Sequence, residues 1–216
     1  QEGDYLLIDG FDGVAIINPR ESTLFRYGKV DVRRQKIKNL VTEESKLPAQ
    51  TKDLQPIILL ANADSQEEVE LGLENGCQGF GLFRTESIFL RKNQIPSEDE
   101  QYEEYAKIVE AAQGQFVTIR TLDIGGDKFI SGLSNSDEQN PFMGFRAIRY
   151  CLQNPDIFLD QLRAILRASA HGPVQLMLPM ISGIGEVIRA KEFLSTAKTQ
   201  LKEKGVAFDE GIKVGC

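Results

Sequence analysis

Short apolar runs alternate with helix-like segments from residue 57 to residue 216, and this alternation limits the possible folds more than any other feature. The predicted strands cover residues 57–62, 79–83, 116–120, 174–178 and 212–215, and the first of them is almost entirely apolar. A short continuous apolar run is typical of a strand that is buried on both faces of a sheet. Strands that alternate with helices predict a parallel sheet with right-handed crossovers.

Two parallel folds are compatible with this alternation, and the motifs favour one of them. No strand-to-helix turn carries the Gly-x-Gly-x-x-Gly pattern of a dinucleotide-binding Rossmann fold. A (β/α)8 barrel needs about 250 residues, so residues 56–216 correspond to roughly half of one. We therefore predict an α/β fold that forms the first half of a (β/α)8 TIM-type barrel. Because a chain that stops inside a strand leaves an unpaired edge, we expect a truncated piece of a longer protein.

The helices between the strands are predicted from caps and from apolar spacing. Asp64 is the expected N-cap of the first helix, which ends near Gly76. Ser97 opens a second helix with a capping box. Asn140 and Pro141 are expected to start a third helix that continues past Phe145. Further helices are predicted from Pro155 onward and over residues 186–204.

The first 55 residues differ from the rest of the chain. Residues 5–8 and 14–17 flank a glycine-containing turn and predict a β-hairpin, which is marginal by itself. Residues 20–55 are polar, of mixed charge and weakly helical in pattern. We predict a hairpin remnant over residues 1–19, a helical linker over 20–55 and the truncated barrel over 56–216.

Composition excludes several classes of protein. The 216 residues carry a net charge of −7 with a pI near 4.9, which disfavours nucleic-acid binding. Cys77, Cys151, Cys216 and the single His171 lack the spacing of a disulfide framework or a zinc site. No apolar run reaches the roughly 18 residues of a membrane span, and Gln1 begins no signal peptide. We expect a reduced, cytoplasmic protein without membrane insertion.

Two arginines stand where predicted strands end. Arg84 follows one strand and Arg120 ends the next, so both should lie at the edge where parallel α/β folds place their chemistry. Planar guanidinium groups suit phosphate or carboxylate anions. The alternative is a buried ion pair, with Glu86 as the candidate partner of Arg84 and Asp123 or Asp127 as that of Arg120.

Weaker signals surround these arginines. Gly125 and Gly126 could let backbone N–H groups approach an anion, and Lys128 would add positive charge, although an ordinary loop is an equal alternative. Arg146 and Arg149 lie three residues apart on one predicted helix, so one of them could face the anion. We assign no metal site to Glu86, Asp123 and Asp127. We interpret His171 as a cap at a helix C-terminus, favoured by the helix dipole, rather than as a catalytic base.

Four long motifs carry a family resemblance. The runs GLFRTE, IRTLDIGGDK, NPFMGFRAIR and DQLRAILRASAHG resemble enzyme I of the bacterial phosphoenolpyruvate:sugar phosphotransferase system. The N-terminal run GDYLLIDGFDGVAIINP resembles the end of that family's phosphohistidine (swivel) domain, and the following polar residues resemble its helical linker. The resemblance covers essentially the whole chain.

The resemblance implies a fold, a reaction and partners. In that family phosphoenolpyruvate binds with Mg²⁺ at the C-terminal rim of a (β/α)8 barrel. The phosphoryl group moves to a histidine of the mobile N-terminal domain and then to a histidine-containing phosphocarrier protein for sugar uptake. The resemblance maps phosphate-binding arginines onto Arg84, Arg120 and, more weakly, Arg146, and it implies a homodimer.

The same resemblance implies that parts of the site have no counterpart in this chain. The family's Mg²⁺ carboxylates, its enolpyruvate-protonating cysteine and its phosphoacceptor histidine match none of these residues, including Cys216 and His171. We therefore predict no catalytic residue and no metal ligand in this chain, and a 216-residue piece that is inactive alone. Two alternatives remain: a pyruvate-phosphate dikinase or phosphoenolpyruvate synthase relative, and a non-catalytic regulatory paralogue.

Overall fold

The computed structural model describes residues 5–10, 12–20, 22–27, 47–91, 95–124 and 144–216. The chain divides into two compact units, residues Gln1–Pro48 and Ala49–Cys216. No helix of the described part is long and apolar enough to cross a membrane.

The first unit contains the predicted hairpin. Strands β1 (Leu6–Asp9) and β2 (Val14–Ile17) pair antiparallel, with Leu6 opposite Ile17. Asp9 is buried at the start of the turn, and its carboxylate accepts a hydrogen bond from the backbone N–H of Asp12 at 3.3 Å. Residues 22–27 are helical. Residues 28–46, most of the predicted linker, lie outside the described residues, and the predicted domain limits remain predictions.

The second unit is built on a parallel sheet of five strands in the order β3-β4-β5-β6-β7. The strands are β3 (Ala61–Ala63), β4 (Phe80–Phe83), β5 (Val117–Arg120), β6 (Val174–Met177) and β7 (Lys213–Gly215). The named helices are α1 (Gln66–Glu74), α2 (Glu86–Arg91), α3 (Glu98–Ala111), α4 (Ile148–Gln153), α5 (Pro155–Ala168) and α6 (Ile184–Glu203). This confirms the predicted α/β class and the parallel sheet.

One face of the sheet forms the core. Side chains alternate along β5 and β6: Val117, Ile119, Val174 and Leu176 are buried, and the residues between them are only partly buried. Helix α3 packs on α1 and α5, and α5 packs on α6, so the long helices form one layer over the buried face. A sequential order of parallel strands produces this arrangement, because successive right-handed crossovers return on the same side. No closed barrel is seen in the described residues.

The predicted caps and inward faces are largely confirmed. Ser97 and Glu100 form the predicted capping box at the start of α3. Pro155 is in the first turn of α5, whose inward residues Phe158, Leu162 and Ile165 are buried. The N-cap of α1 is Ser65 rather than Asp64, because the Ser65 hydroxyl accepts a hydrogen bond from the Glu68 N–H at 3.3 Å. Helix α2 was not predicted from the sequence.

Two predicted elements have different bounds in the structure. Of the strand predicted over residues 57–62, only 61 and 62 lie in β3, and residues 57–60 precede it as an irregular segment whose four side chains are 44–68% exposed. The burial of a strand comes from the elements around it, and no described element covers this run. The helix expected through Phe145 begins only at Ile148, because Ala147 has a φ of 52° that no α-helix contains. The predicted start of that helix, residues 140–143, lies outside the described residues.

Candidate functional site

The first two predicted arginines lie at the same edge of the sheet. Arg84 directly follows β4 and Arg120 ends β5, and these strands are neighbours. The backbone N–H of Arg84 donates to the carbonyl of Ala63 on β3 at 3.0 Å, which continues the ladder past the strand end. Both arginines therefore leave the carboxyl ends of adjacent parallel strands, the position at which parallel α/β folds bind ligands.

Arg120 is held by two carboxylates. Its Nη2 donates to Glu86 Oε1 at 2.9 Å, and its Nη1 lies 3.2 Å from Asp123 Oδ2. The same Glu86 oxygen accepts the backbone N–H of Asp123 at 3.1 Å. Glu86 is buried at the first turn of α2, so its charge is compensated by one guanidinium and one backbone dipole.

Arg146 joins this group from the third predicted segment. Its Nε and Nη2 both donate to Asp123 Oδ1, at 3.0 and 2.8 Å. Arg146 and Arg149 do not share a helix, because α4 begins after Ala147. Arg149 instead donates to the carbonyl of Gly144 at 2.9 Å and lies 3.7 Å from Glu186. We call Glu86, Arg120, Asp123 and Arg146 the strand-end cluster.

Arg84 forms an ion pair, but its partner is not the Glu86 that was considered from the sequence. Its Nε lies 2.9 Å from Asp64 Oδ1, and its side chain is 46% exposed. Glu86, the candidate partner of Arg84, binds Arg120 instead, so that alternative is wrong in its choice of partner. The expected pairing of Arg120 with Asp123 is present. Arg84 is therefore the most accessible of the three arginines.

The strand-end cluster is balanced in charge but not in hydrogen bonds. Two arginines face two carboxylates, and all four side chains are largely buried. Arg120 Nε is buried without a hydrogen-bond partner among the described residues. A buried donor of this kind is rare in native proteins and indicates that water or a ligand supplies the acceptor. An anion at the sheet edge could do so.

Sequence reasoning missed two polar residues that support the site. Thr85 and Gln161 are both buried, and Gln161 lies on the apolar face of α5 with Phe158 and Leu162. A polar residue at an inward position of an amphipathic helix is a signal that could have identified Gln161.

Cys151 lies next to the segment that follows β5, with its thiol 3.9 Å from the Leu122 carbonyl. Burial, reinforced by the charge of Asp123, raises the pKa of Cys151 to about 12, so it packs as a neutral thiol.

The remaining predicted residues are elsewhere or not described. Lys128, with Gly125, Gly126 and Asp127, lies outside the described residues. His171 follows α5, and its ring bridges two α3 side chains, with Nδ1 2.7 Å from Glu110 and Nε2 3.0 Å from the Tyr102 hydroxyl. Because β6 begins at Val174, His171 lies at the amino edge of the sheet, opposite to the arginines.

The described residues do not fit a magnesium site. No group of three or more His, Cys, Asp or Glu side chains in the described ranges is arranged to hold a metal ion. Glu86 and Asp123, the acidic groups at the strand ends, are engaged by Arg120 and Arg146. A carboxylate that is already neutralised by a guanidinium is a poor ligand for a hard cation.

Comparison with known proteins agrees with the motifs. Residues 38–216 match the family of PEP-utilising enzymes, PEP-binding domain. Proteins named phosphoenolpyruvate-protein phosphotransferase align along the whole chain: 40% identity in Staphylococcus aureus (strain MSSA476), and 41% in Geobacillus stearothermophilus and in Priestia megaterium. The chain spans 38%, 37% and 38% of these relatives, respectively. The resemblance expected from the four motifs is confirmed.

Proposed function

Since the chain belongs to the PEP-binding domain family of the PEP-utilising enzymes, we propose that its strand-end arginines bind the phosphate of phosphoenolpyruvate. The observation that carries this proposal is the buried Arg120 Nε, which has no acceptor among the described residues. Arg84 adds an exposed guanidinium from the neighbouring strand end. A guanidinium fork matches phosphate geometry better than any other side chain.

The two carboxylates of the cluster have a positioning role in this proposal. Glu86 and Asp123 hold the guanidinium groups of Arg120 and Arg146 before the ligand arrives. Donors that are fixed in advance stabilise negative charge on a transferring phosphoryl group without a cost of reorganisation. Lys128, which lies outside the described residues, would add a further positive charge.

We further propose that the complete protein is a phosphoenolpyruvate-protein phosphotransferase. The relatives bear that name, and the motif resemblance implies transfer to an enzyme histidine and then to a histidine-containing phosphocarrier protein. A cytoplasmic location, a homodimer and Mg²⁺ bound by residues outside the described ones belong to the same proposal. His171 does not fit the phosphoacceptor, because it is tied to α3 at the opposite edge of the sheet.

The sheet supports the finer proposal that this stretch is half of a (β/α)8 barrel. The strand order is sequential and parallel, as in a barrel. The face away from the helices carries Thr118, Arg120 and Gln175, which are only partly buried. All-parallel sheets are normally covered on both faces, so a half barrel explains the uncovered one.

Binding and catalysis should be separable in this protein. We propose that residues 1–216 alone bind phosphoenolpyruvate but do not complete phosphoryl transfer, because the family's acid catalyst and phosphoacceptor match none of these residues. A transfer assay with phosphoenolpyruvate, Mg²⁺ and phosphocarrier protein tests this proposal. Turnover by the 216-residue piece would refute it.

Calorimetric titration of the full-length protein with phosphoenolpyruvate tests the binding proposal. Arg120→Lys keeps the charge but loses the fork, and it should weaken binding about tenfold or more. Arg163→Lys is the matched control, because Arg163 is similarly buried and ion-paired but lies on the helix layer. It should change the affinity by less than about twofold.

Three results would count against the proposal. Equal affinities of the Arg120→Lys variant and the unchanged protein would remove Arg120 from the binding site. Equal losses in both variants would indicate a general loss of stability, which thermal unfolding measured in parallel would reveal. An unchanged protein that binds no phosphoenolpyruvate would favour the non-catalytic regulatory alternative.

A further inference from the structure

We propose that Gln161 is a positioning residue that fixes the two strand-end segments carrying Arg84 and Arg120 relative to each other. The inference rests on the proposed function, because it assigns Gln161 a role in phosphoenolpyruvate binding. Gln161 itself lies on α5, beneath the strand ends, and is 1% exposed.

The side-chain amide of Gln161 is bonded to both segments. Its Oε1 accepts the backbone N–H of Leu122 at 2.9 Å. Its Nε2 donates to the Thr85 hydroxyl at 3.4 Å and to the Tyr105 hydroxyl at 3.2 Å. Leu122 lies between Arg120 and Asp123, and Thr85 lies between Arg84 and Glu86. One buried amide therefore connects the segment that carries Arg84 and Glu86 with the segment that carries Arg120 and Asp123.

The hydroxyl of Thr85 extends this connection to Arg120 itself. It donates to the Arg120 carbonyl at 3.0 Å while it accepts from Gln161. The backbone of Arg120 is thus held by a side chain of the preceding loop, and that side chain is oriented by Gln161. A displacement of α5 would be transmitted to both segments, because Gln161 is hydrogen-bonded to Leu122 in one and to Thr85 in the other.

The Leu122 N–H fixes which way the amide points, because it requires the Gln161 Oε1, and the far end of the network agrees with this orientation. The Tyr105 hydroxyl donates to Gln101 Oε1 at 3.1 Å, so it accepts from Gln161. Burial raises the pKa of Tyr105 well above its usual value, which keeps this hydroxyl protonated. The Gln161 Nε2 must then face Thr85 and Tyr105, and the Oε1 must face Leu122. The orientation is unique, as positioning requires.

A purely structural role would not need this polar group. Helix α5 is held by Phe158, Leu162, Ile165 and other apolar residues, and a methionine at position 161 would fill nearly the same volume. Burial of an amide contributes little net stability, since its hydrogen bonds only replace those with water. The specific gain is a defined geometry at the strand ends.

Gln161→Met tests the inference, with Gln101→Met as the matched control. Both glutamines are buried, both bond to Tyr105, and only Gln161 contacts the strand-end loops. In the full-length protein, Gln161→Met should raise the Kd for phosphoenolpyruvate about tenfold, and Gln101→Met should change it by less than about twofold. Amide exchange at Leu122 should accelerate about tenfold in Gln161→Met alone.

A second pair of variants keeps the test valid if Gln161→Met fails to fold. Thr85→Val removes the hydroxyl between Gln161 and the Arg120 carbonyl, and it should weaken binding about fivefold. Thr85→Ser is its control, because it keeps the hydroxyl that donates to the Arg120 carbonyl and accepts from Gln161. Thr85→Ser should leave the affinity within about twofold.

The outcomes separate this inference from the proposed function. If the unchanged protein binds phosphoenolpyruvate and the Gln161→Met and Thr85→Val variants bind like their controls, the positioning role is overturned and the binding proposal stands. If the unchanged protein does not bind phosphoenolpyruvate, both are overturned. Weakened binding in the Gln161→Met and Thr85→Val variants, with controls unaffected, supports the inference.

Discussion

The strand-end cluster and a second arginine cluster on the helix layer contain similar groups in different surroundings. In the helix-face cluster, Arg163 and Arg167 of α5 bind Glu98, Asp99 and Asp160. The side chains of Arg163 and Arg167 are 14% and 19% exposed, and those of Arg120 and Arg146 are 18% and 16% exposed. Burial therefore does not distinguish the two clusters.

The difference lies in how each arginine is satisfied. Arg163 and Arg167 are four residues apart on one helix and share Glu98 of α3, at 2.6 and 2.7 Å. Arg167 also lies 4.1 Å over the Tyr102 ring. The strand-end arginines come from separate segments of the chain, and Arg120 keeps one buried donor without a described acceptor. Paired arginines alone thus indicate cohesion of the fold, whereas the unsatisfied donor at the strand end supports the proposed phosphate site.

The largest expected effect in this comparison is on stability. Glu86→Ala leaves Arg120 with Asp123 alone and removes the acceptor of the Asp123 N–H. It should lower the free energy of unfolding by about 3 kcal/mol, because Arg120 must then share Asp123 with Arg146 and the Asp123 N–H loses its acceptor. Glu98→Ala should cost only about 1 kcal/mol, since Arg163 and Arg167 keep Asp160 and Asp99. Urea unfolding measures both, and equal losses would contradict the distinction.

The helix-face cluster should also respond to acid. Burial opposes the charged form of Glu98, but hydrogen bonds and charges from Arg163 and Arg167 outweigh burial and lower its pKa. A lowered pKa in the folded state means stability that is present above the ordinary value of 4.5 and lost as the pH falls through the folded value.

The Glu98→Gln variant tests whether the pKa of Glu98 is lowered in the folded state. Its stability deficit relative to the unchanged protein should be below about 1 kcal/mol at pH 7. The deficit should shrink toward zero as the pH falls below 4.5, because the unchanged Glu98 is then protonated as well. Urea unfolding at a series of pH values provides the measurement. A deficit that grows in acid would show that the pKa of Glu98 is raised rather than lowered.

The smallest expected effect on stability comes from backbone strain, which is present next to the strand-end cluster and absent from α5. Ala147 follows Arg146 with a φ of 52°, a conformation that favours glycine, whereas Ala164 lies inside α5. Ala147→Gly should raise the free energy of unfolding by up to about 1 kcal/mol. Ala164→Gly should lower it by about 1 kcal/mol. Thermal unfolding shows whether each variant gains or loses stability. A lower stability of Ala147→Gly would mean that no backbone strain is stored at Ala147.

Much of the fold followed from local patterns. The capping box at Ser97, the inward faces of α3, α5 and α6 and the strand ends at Phe83 and Arg120 were predictable, because caps and periodicity act over a few residues. The strand predicted over residues 57–62 begins only at Ala61, and the four side chains before it are exposed. Its composition does not reveal whether another element covers it.

The candidate site was likewise only partly predictable from the sequence. The positions of Arg84 and Arg120 after apolar runs predicted that they share one edge of the sheet. The structure decided that Arg84 pairs with Asp64 and that Glu86 pairs with Arg120. Gln161 connects the two loops from 76 residues beyond Thr85. Such pairings depend on distances between segments that are remote in sequence, and no local pattern encodes those distances.

The sequence by itself determined the alternation of strands and helices, the faces they bury and the family to which the motifs belong. Only the tertiary structure decided which carboxylate neutralises which arginine and which strand-end donor has no acceptor among the described residues. Secondary structure is set by short-range sterics and hydrogen bonds, whereas charge pairing is set by the packing of the whole sheet and its helices.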